Sequence, residues 1–218
     1  MFIGHYGVAF AAKRLAPTAS LGMLVFAAQF ADLLWPTLVM SGVEIVVVQP
    51  GDTAFTPLTF VRYPYSHSLV ALTAWAVLVG AAYRGVRRAV PVAAATVAAL
   101  VLSHWVLDWL THRPDLPLTL TGEARVGLGL WNHVPATVMV ESLIFAAGVW
   151  VYRRAVPARP ALWGLVGFLA VVYVANLVGP PPPSGLVVAW SAQLLWLLVP
   201  WAHWIDRRPR GHERSAPR

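Results

Sequence analysis

The sequence predicts an all-α, polytopic integral membrane protein of about six transmembrane helices, plus a short N-terminal helix that is either interfacial or half-inserted. Three observations point there. Apolar side chains make up 58 % of the 218 residues and charged ones 11 %, whereas a soluble domain carries about 25 % charged residues. The apolar residues gather in six runs, each near the roughly 20 residues a helix needs to cross a hydrocarbon core. The basic residues gather at alternate connections between those runs, as the positive-inside rule describes.

Taken in order, the runs cover residues 18–41, 66–83, 89–111, 134–152, 160–179 and 185–205. Ahead of the first, residues 2–12 are almost all uncharged, and Lys13 and Arg14 follow them. Because those charges come after the first apolar stretch, a cleaved signal peptide is not expected. Pro91, Pro135 and Pro160 each stand near the first turn of a run, where a missing N–H costs nothing. The Pro180 to Pro183 run is a stiff turn between the last two helices. Residues 1–206 are thus expected to form a single transmembrane helical domain and 207–218 a basic, disordered cytoplasmic tail. The loops 42–65 and 112–133 are long enough for a small cap outside the membrane.

The net charge of +7 is a matter of topology. One side holds Lys13, Arg14, Arg84, Arg87, Arg88, Arg153, Arg154, Arg159, Arg207, Arg208, Arg210, Arg214 and Arg218, and the other only Arg62, Arg113 and Arg125, which is 13 against 3. This asymmetry puts both termini in the cytoplasm of a cell (inner) membrane. Anionic lipid headgroups account for the basic clusters, and no nucleic-acid partner is expected. With no cysteine, any metal must be held by imidazole and carboxylate.

Ionisable groups inside spanning helices cost about 2.5–3.5 kcal/mol each on insertion scales, so each is a functional candidate. Asp32 falls within QFADLLWP, His67 within YPYSHSL, His104 and Asp108 within SHWVLDWLTHRPD, and Glu141 in the fourth run. At 1.5 Å per residue, His104 lies about 24 Å from Arg88 and His67 about 25 Å from Arg84, with Asp32 and Glu141 about 21 and 18 Å from their own basic ends. All four share the outer half of the bilayer. His104 and Asp108 are four apart and project from one helix face, which His112 continues outward. An imidazole and a carboxylate one turn apart can grip one cation; the alternative is a His–Asp hydrogen bond stapling two helices. Glu141 has a similar alternative, a helix-to-helix hydrogen bond. His5 reaches the cluster if residues 2–12 form an inward-dipping half-helix, and does not if they form an interfacial helix. Arg62 can meet an anionic group such as phosphate or be an ordinary loop charge. His203, between tryptophans, reads as part of an aromatic belt.

The set His5, Asp32, Ser66-His67-Ser68 and His104 with Asp108, in this order, resembles the membrane-bound metal-dependent hydrolase family, over roughly residues 1–145. That family is also described as inner-membrane-associated hydrolases of LexA-binding type, distantly similar to the zinc-dependent phospholipase C and single-strand nuclease superfamily. Two positions depart from its pattern: Trp35 stands where a second acidic residue is usual, and Arg62 and Tyr63 stand where a His–Arg pair precedes a Thr-His-Ser element. The resemblance implies a divalent metal, zinc first with manganese or magnesium as alternatives, ligated by His5, Asp32, His67, His104 and Asp108. It implies hydrolysis of a phosphoester, with Asp32 or Glu141 as water base or further ligand. Arg62 and His112 are the substrate-binding candidates.

The function expected on this reading is metal-dependent hydrolysis of a lipid-linked or phospholipid phosphoester in the outer half of the bilayer, where a metal lowers the pKa of water toward about 7. Membrane lipids and a lipid-like substrate are the expected partners, and the oligomeric state is left open. Two other readings use the same residues: an ion- or proton-coupled transporter, and a non-catalytic membrane adaptor that binds its partner through the basic tail.

Overall fold

A computed structural model describes residues 1–121, 123–157 and 159–206; the expected tail at 207–218 lies outside the described residues. The chain is mostly helical. Helices α1 (Ile3–Ala12), α2 (Leu21–Ala28) and α3 (Phe30–Met40) come first. A hairpin of β1 (Ile45–Val48) and β2 (Leu58–Arg62) follows. Then come a short turn of helix α4 (Pro64–His67) and the long helices α5 (Leu69–Arg87) and α6 (Pro91–Thr111). A second hairpin pairs β3 (Leu116–Pro117) with β4 (Arg125–Val126). Helices α7 (Val134–Ala155), α8 (Pro160–Val178), α9 (Gly185–Ala192) and α10 (Leu198–Asp206) complete the chain.

Five helical stretches are long and apolar enough to cross a membrane, or six if α2 and α3 count as one span. Prolines open α6 and α8 and sit in the first turn of α7, where a missing N–H is harmless. The outward faces of the bundle carry exposed Val77, Leu78, Leu143, Val171 and Leu194, a continuous kind of apolar surface that water-soluble monomers rarely display.

Three features differ from the sequence expectation, and a fourth decides between two readings it left open. The first span is not one helix: α2 and α3 meet at a 55° bend at Gln29. The last span is interrupted by a 3-10 stretch, Gln193–Leu197. The fold is not purely α, because the two long loops fold into small antiparallel hairpins, β1 with β2 and β3 with β4. In the first of these loops the β-branched run Ile45–Val48 favours a strand over a helix. The N-terminal helix is not an interfacial amphipath. His5, Tyr6, Ala9 and Phe10 of α1 are buried, and α1 lies along α7 with α2 and α6 beside it.

Glycine makes that packing possible. A Cβ at Gly7 would stand 2.6 Å from the carbonyl oxygen of Ile144, and one at Gly148 would strike the backbone of Gly7. The two helices therefore touch backbone to backbone, the close approach that small residues permit in apolar surroundings. Gly148→Leu is expected to force α1 off α7 and lower stability by about 1–3 kcal/mol. Thermal unfolding in detergent checks this, with Gly167→Ala, whose Cβ meets open space, expected to stay close to wild type.

Candidate metal centre

Helix α6 carries the centre. Its buried residues Val97, Leu100, Val101, His104 and Asp108 recur at three- and four-residue spacing, so the stripe that packs the core turns polar toward the C-terminal end of the same face. His112 ends the helix, its N–H bonded to the Asp108 carbonyl at 2.7 Å. The bend at Gln29 delivers Asp32 to this face in the first turn of α3, and α1 delivers His5. His67, last residue of α4, is held where Ser68 starts α5 by accepting from the N–H of Ala71. The structure thus brings together the five ligand candidates His5, Asp32, His67, His104 and Asp108.

The distances are those of ligands around one or two ions. His104 Nε2 lies 3.2 Å from Asp108 Oδ2 and 3.7 Å from Asp32 Oδ1. His67 Nε2 lies 3.5 Å from Asp32 Oδ1 and 3.8 Å from Asp108 Oδ2. Donors about 2.0–2.2 Å from one ion at tetrahedral angles stand roughly 3.3–3.5 Å apart. Two triads bring their donor atoms within 4.8 Å of one another: His5, His104 and Asp108, and Asp32, His67 and His104. The His5 ring stacks on His104 with centroids 3.8 Å apart, and its Nε2 is 3.1 Å from Asp108 Oδ1.

Outer contacts fix which nitrogen each imidazole turns inward. His104 Nδ1 is 2.8 Å from the carbonyl oxygen of Ala28, a pure acceptor at the end of α2, so Nδ1 carries the proton. Nε2 is buried with no hydrogen bond of its own, so in the neutral ring its lone pair is free to ligate. His67 Nδ1 is 2.7 Å from Ser66 Oγ, and that hydroxyl donates to Glu44 Oε2 at 2.6 Å. The hydroxyl proton is spent on Glu44, so His67 donates from Nδ1, and in the neutral ring its Nε2 is free to ligate. His112 Nδ1 is 3.0 Å from Asp115 Oδ1 and its Nε2 faces Asp108 Oδ2 at 4.0 Å. Bare nitrogens facing carboxylate oxygens repel one another unless a cation lies between them. Imidazoles anchored through one nitrogen and ligating through the other are the usual build of a metal site. The residues present fit a divalent cation, and the buried His/Asp group can hold one.

No family model, curated protein or solved structure matches the chain. The reading of the cluster therefore stands on its geometry.

Three predicted residues have other surroundings. Glu141 belongs to neither triad: its Oε2 accepts from the backbone N–H groups of Phe2 at 2.8 Å and Gly4 at 3.3 Å. It neutralises the exposed amides at the start of α1, a helix N-terminus that favours a carboxylate. Arg62 lies exposed on β2 and donates to the Gly42 carbonyl at 3.2 Å. His112 borders the cluster but is tied outward to Asp115 and Tyr63, whose hydroxyl lies 3.3 Å from Nδ1. Trp35, at the position of the missing acidic residue, packs with Val46, Tyr63 and Leu116 in a small core under the hairpins.

Other residues escaped the sequence reading. Glu44 is buried in the first long loop, where it also accepts from the N–H groups of Tyr65 and Ser66 at 2.8 and 2.9 Å. The backbone nitrogen of Met1 is 2.6 Å from Asp108 Oδ1. Asp115 bonds Arg113 Nε at 3.1 Å, and Arg113 also pairs with Asp52, clasping the two long loops together. Burial works to raise the Asp115 carboxyl, but the hydrogen bond and charge of His112, with those of Arg113, hold it below the usual carboxylate range. Burial and then the Asp115 charge push the Tyr63 phenol well above its ordinary value, so Tyr63 donates to Asp115 Oδ1 at 3.2 Å.

Removing an outer partner of this kind typically weakens metal affinity about 10–100-fold. Ser66→Ala is expected to lose affinity on that scale in competition with a chromophoric chelator, and Ser66→Thr, which keeps the hydroxyl, to retain most of it. Equal affinity in all three proteins would mean that packing alone orients His67.

Proposed function

We propose that this chain is a multi-pass protein of the cell membrane, with both termini cytoplasmic, and that it is a metal-dependent hydrolase acting on a phosphoester. The observation that carries the reading is the inward convergence of anchored imidazoles on two carboxylates. Nitrogen and oxygen donors in this mixture suit zinc or manganese. His67, His104 and Asp108 would hold the ion, with His5 beside Asp108 as a further ligand or as its orienting partner. A divalent ion bound there supplies Lewis acidity and a more acidic water.

Asp32 is the natural base. Its side chain keeps 25 % of its surface exposed, against 4 % for His67 and 3 % for Asp108, so water and substrate reach the cluster beside it. One carboxylate oxygen faces His67 and His104, and the other can accept the proton of the attacking water. In hydrolysis the water oxygen bonds to phosphorus, the bond to the leaving oxygen breaks, and the proton taken by Asp32 passes to that oxygen. Arg62 and Arg125, with Tyr63 and Tyr65, line a cavity of about 460 Å³ that none of the five ligand candidates borders, and their guanidinium groups suit a further anionic group of the substrate rather than the phosphorus under attack. A lipid phosphoester fits a site of this kind among apolar helices, since its tails can remain in the bilayer.

Elemental analysis of detergent-purified protein, made without chelator or histidine tag, tests the reading. Wild type is expected to carry stoichiometric zinc or manganese, and His104→Ala to lose at least about tenfold in retention, as expected for loss of a direct ligand. Metal-free wild type would move the assignment to transport or scaffolding.

A further inference from the structure

At the end of the bundle opposite the His/Asp cluster lies a cavity of about 1010 Å³. It opens where the sequence concentrates its arginines: at the C-terminus of α5, between α7 and α8, and at the end of α10. Lys13, Arg87 and Arg159 line it against a single carboxylate, Asp206. Met23, Phe26, Val199 and Pro200 supply an apolar wall.

The polar groups divide into structural and available ones. Asp206 is already engaged: its Oδ2 accepts from Lys13 Nζ at 2.5 Å and from the N–H of Leu21 at 3.1 Å, and its Oδ1 from Tyr152 at 3.3 Å. Lys13 also donates to the Ala19 carbonyl at 2.6 Å. These two charges hold α1, α2 and α10 together at the inner wall. Arg87, last residue of α5, is exposed and makes no hydrogen bond or ion pair among the described residues. Arg159 stands across the opening, where its Nη1 donates to the Ile205 carbonyl at 3.4 Å. The cavity therefore has a cationic mouth, an apolar wall and no free anion of its own.

We infer that this cavity binds the headgroup and glycerol of an anionic phospholipid, with the phosphate between Arg87 and Arg159 and the acyl chains along Phe26, Met23 and Val199. Basic pockets between spanning helices on the cytoplasmic side take such headgroups. The volume is far larger than a free phosphate needs, and the apolar wall gives a soluble anion nothing to contact. The inference rests on the membrane reading and is independent of the metal centre.

The test is lipid retention by the full-length protein, delipidated in detergent and titrated with phosphatidylglycerol, phosphatidylcholine or inorganic phosphate, read by native mass spectrometry and thermal stability. Phosphatidylglycerol is expected to bind and to raise the unfolding midpoint, while the other two do neither. Each surface cation contributes about 1 kcal/mol to an anionic lipid, so Arg87→Gln with Arg159→Gln is expected to weaken retention about 30-fold. Arg87→Gln alone, at an exposed position that folding does not use, is expected to show part of that loss, and Arg87→Lys to keep most of the binding. Equal retention of phosphatidylcholine, stabilisation by inorganic phosphate alone, or phosphatidylglycerol binding unchanged in the double variant would each overturn the inference. Metal content unchanged in these variants would separate this site from the His/Asp cluster.

Discussion

A carboxylate taken out of water costs several kcal/mol unless donors or cations surround it, and Asp108, buried on α6, has that demand at the centre of this fold. Its two oxygens are met from different directions. Oδ1 faces His5 and the Met1 nitrogen, and Oδ2 faces His67, His104 and His112. The surrounding helices are placed as they must be to supply those partners. α1 inserts its first turn and the α4–α5 junction presents His67, while the α2–α3 bend brings up Asp32, a second carboxylate met by His67 and His104. Three of the four imidazoles are then turned by a second contact: Ala28 for His104, Ser66 for His67 and Asp115 for His112. The buried charge and the helix breaks around it are one arrangement.

Much of this centre is legible in the amino-acid order because helical rise and spacing are local quantities. His104 and Asp108 share a face by being four apart, and counting from the arginine clusters puts His67 and Asp32 at the same depth. The spans at 91–111, 134–155 and 160–178 follow from runs of apolar residues that carry their own proline starts. His5 was ambiguous because an uncharged segment reads equally as interfacial or inserted. Its burial depends on Gly7 meeting Gly148, a contact between residues far apart in the chain.

What stayed hidden depends on tertiary partners. Glu44 looks like an ordinary loop acid, and only the fold of the β1–β2 hairpin aims it at Ser66. The bend at Gln29 has no glycine or proline beside it to announce it, and Pro36 lies about two turns further on inside α3. Glu141 gave a buried carboxylate in sequence terms, but its use, receiving the amides of Phe2 and Gly4, is set by which helix end lands on α7. Arg62, close to His67 in sequence, lies on an exposed strand whose position depends on the same hairpin, with its guanidinium on the Gly42 carbonyl.

The backbone contact of Gly7 with Gly148 has a mechanical consequence for the chemistry. A helix advances about 100° of rotation and 1.5 Å of height with each residue, so a slip of α1 by a single position would swing His5 away from Asp108. Side-chain packing alone tolerates small slides; a groove cut to the width of a bare backbone does not, and Glu141 blocks axial travel by holding the first amides. α7 donates no ligand to either triad, yet it is the bearing surface that indexes one of them. The azimuth of His5 is thereby recorded on a helix that adds no side chain to either triad.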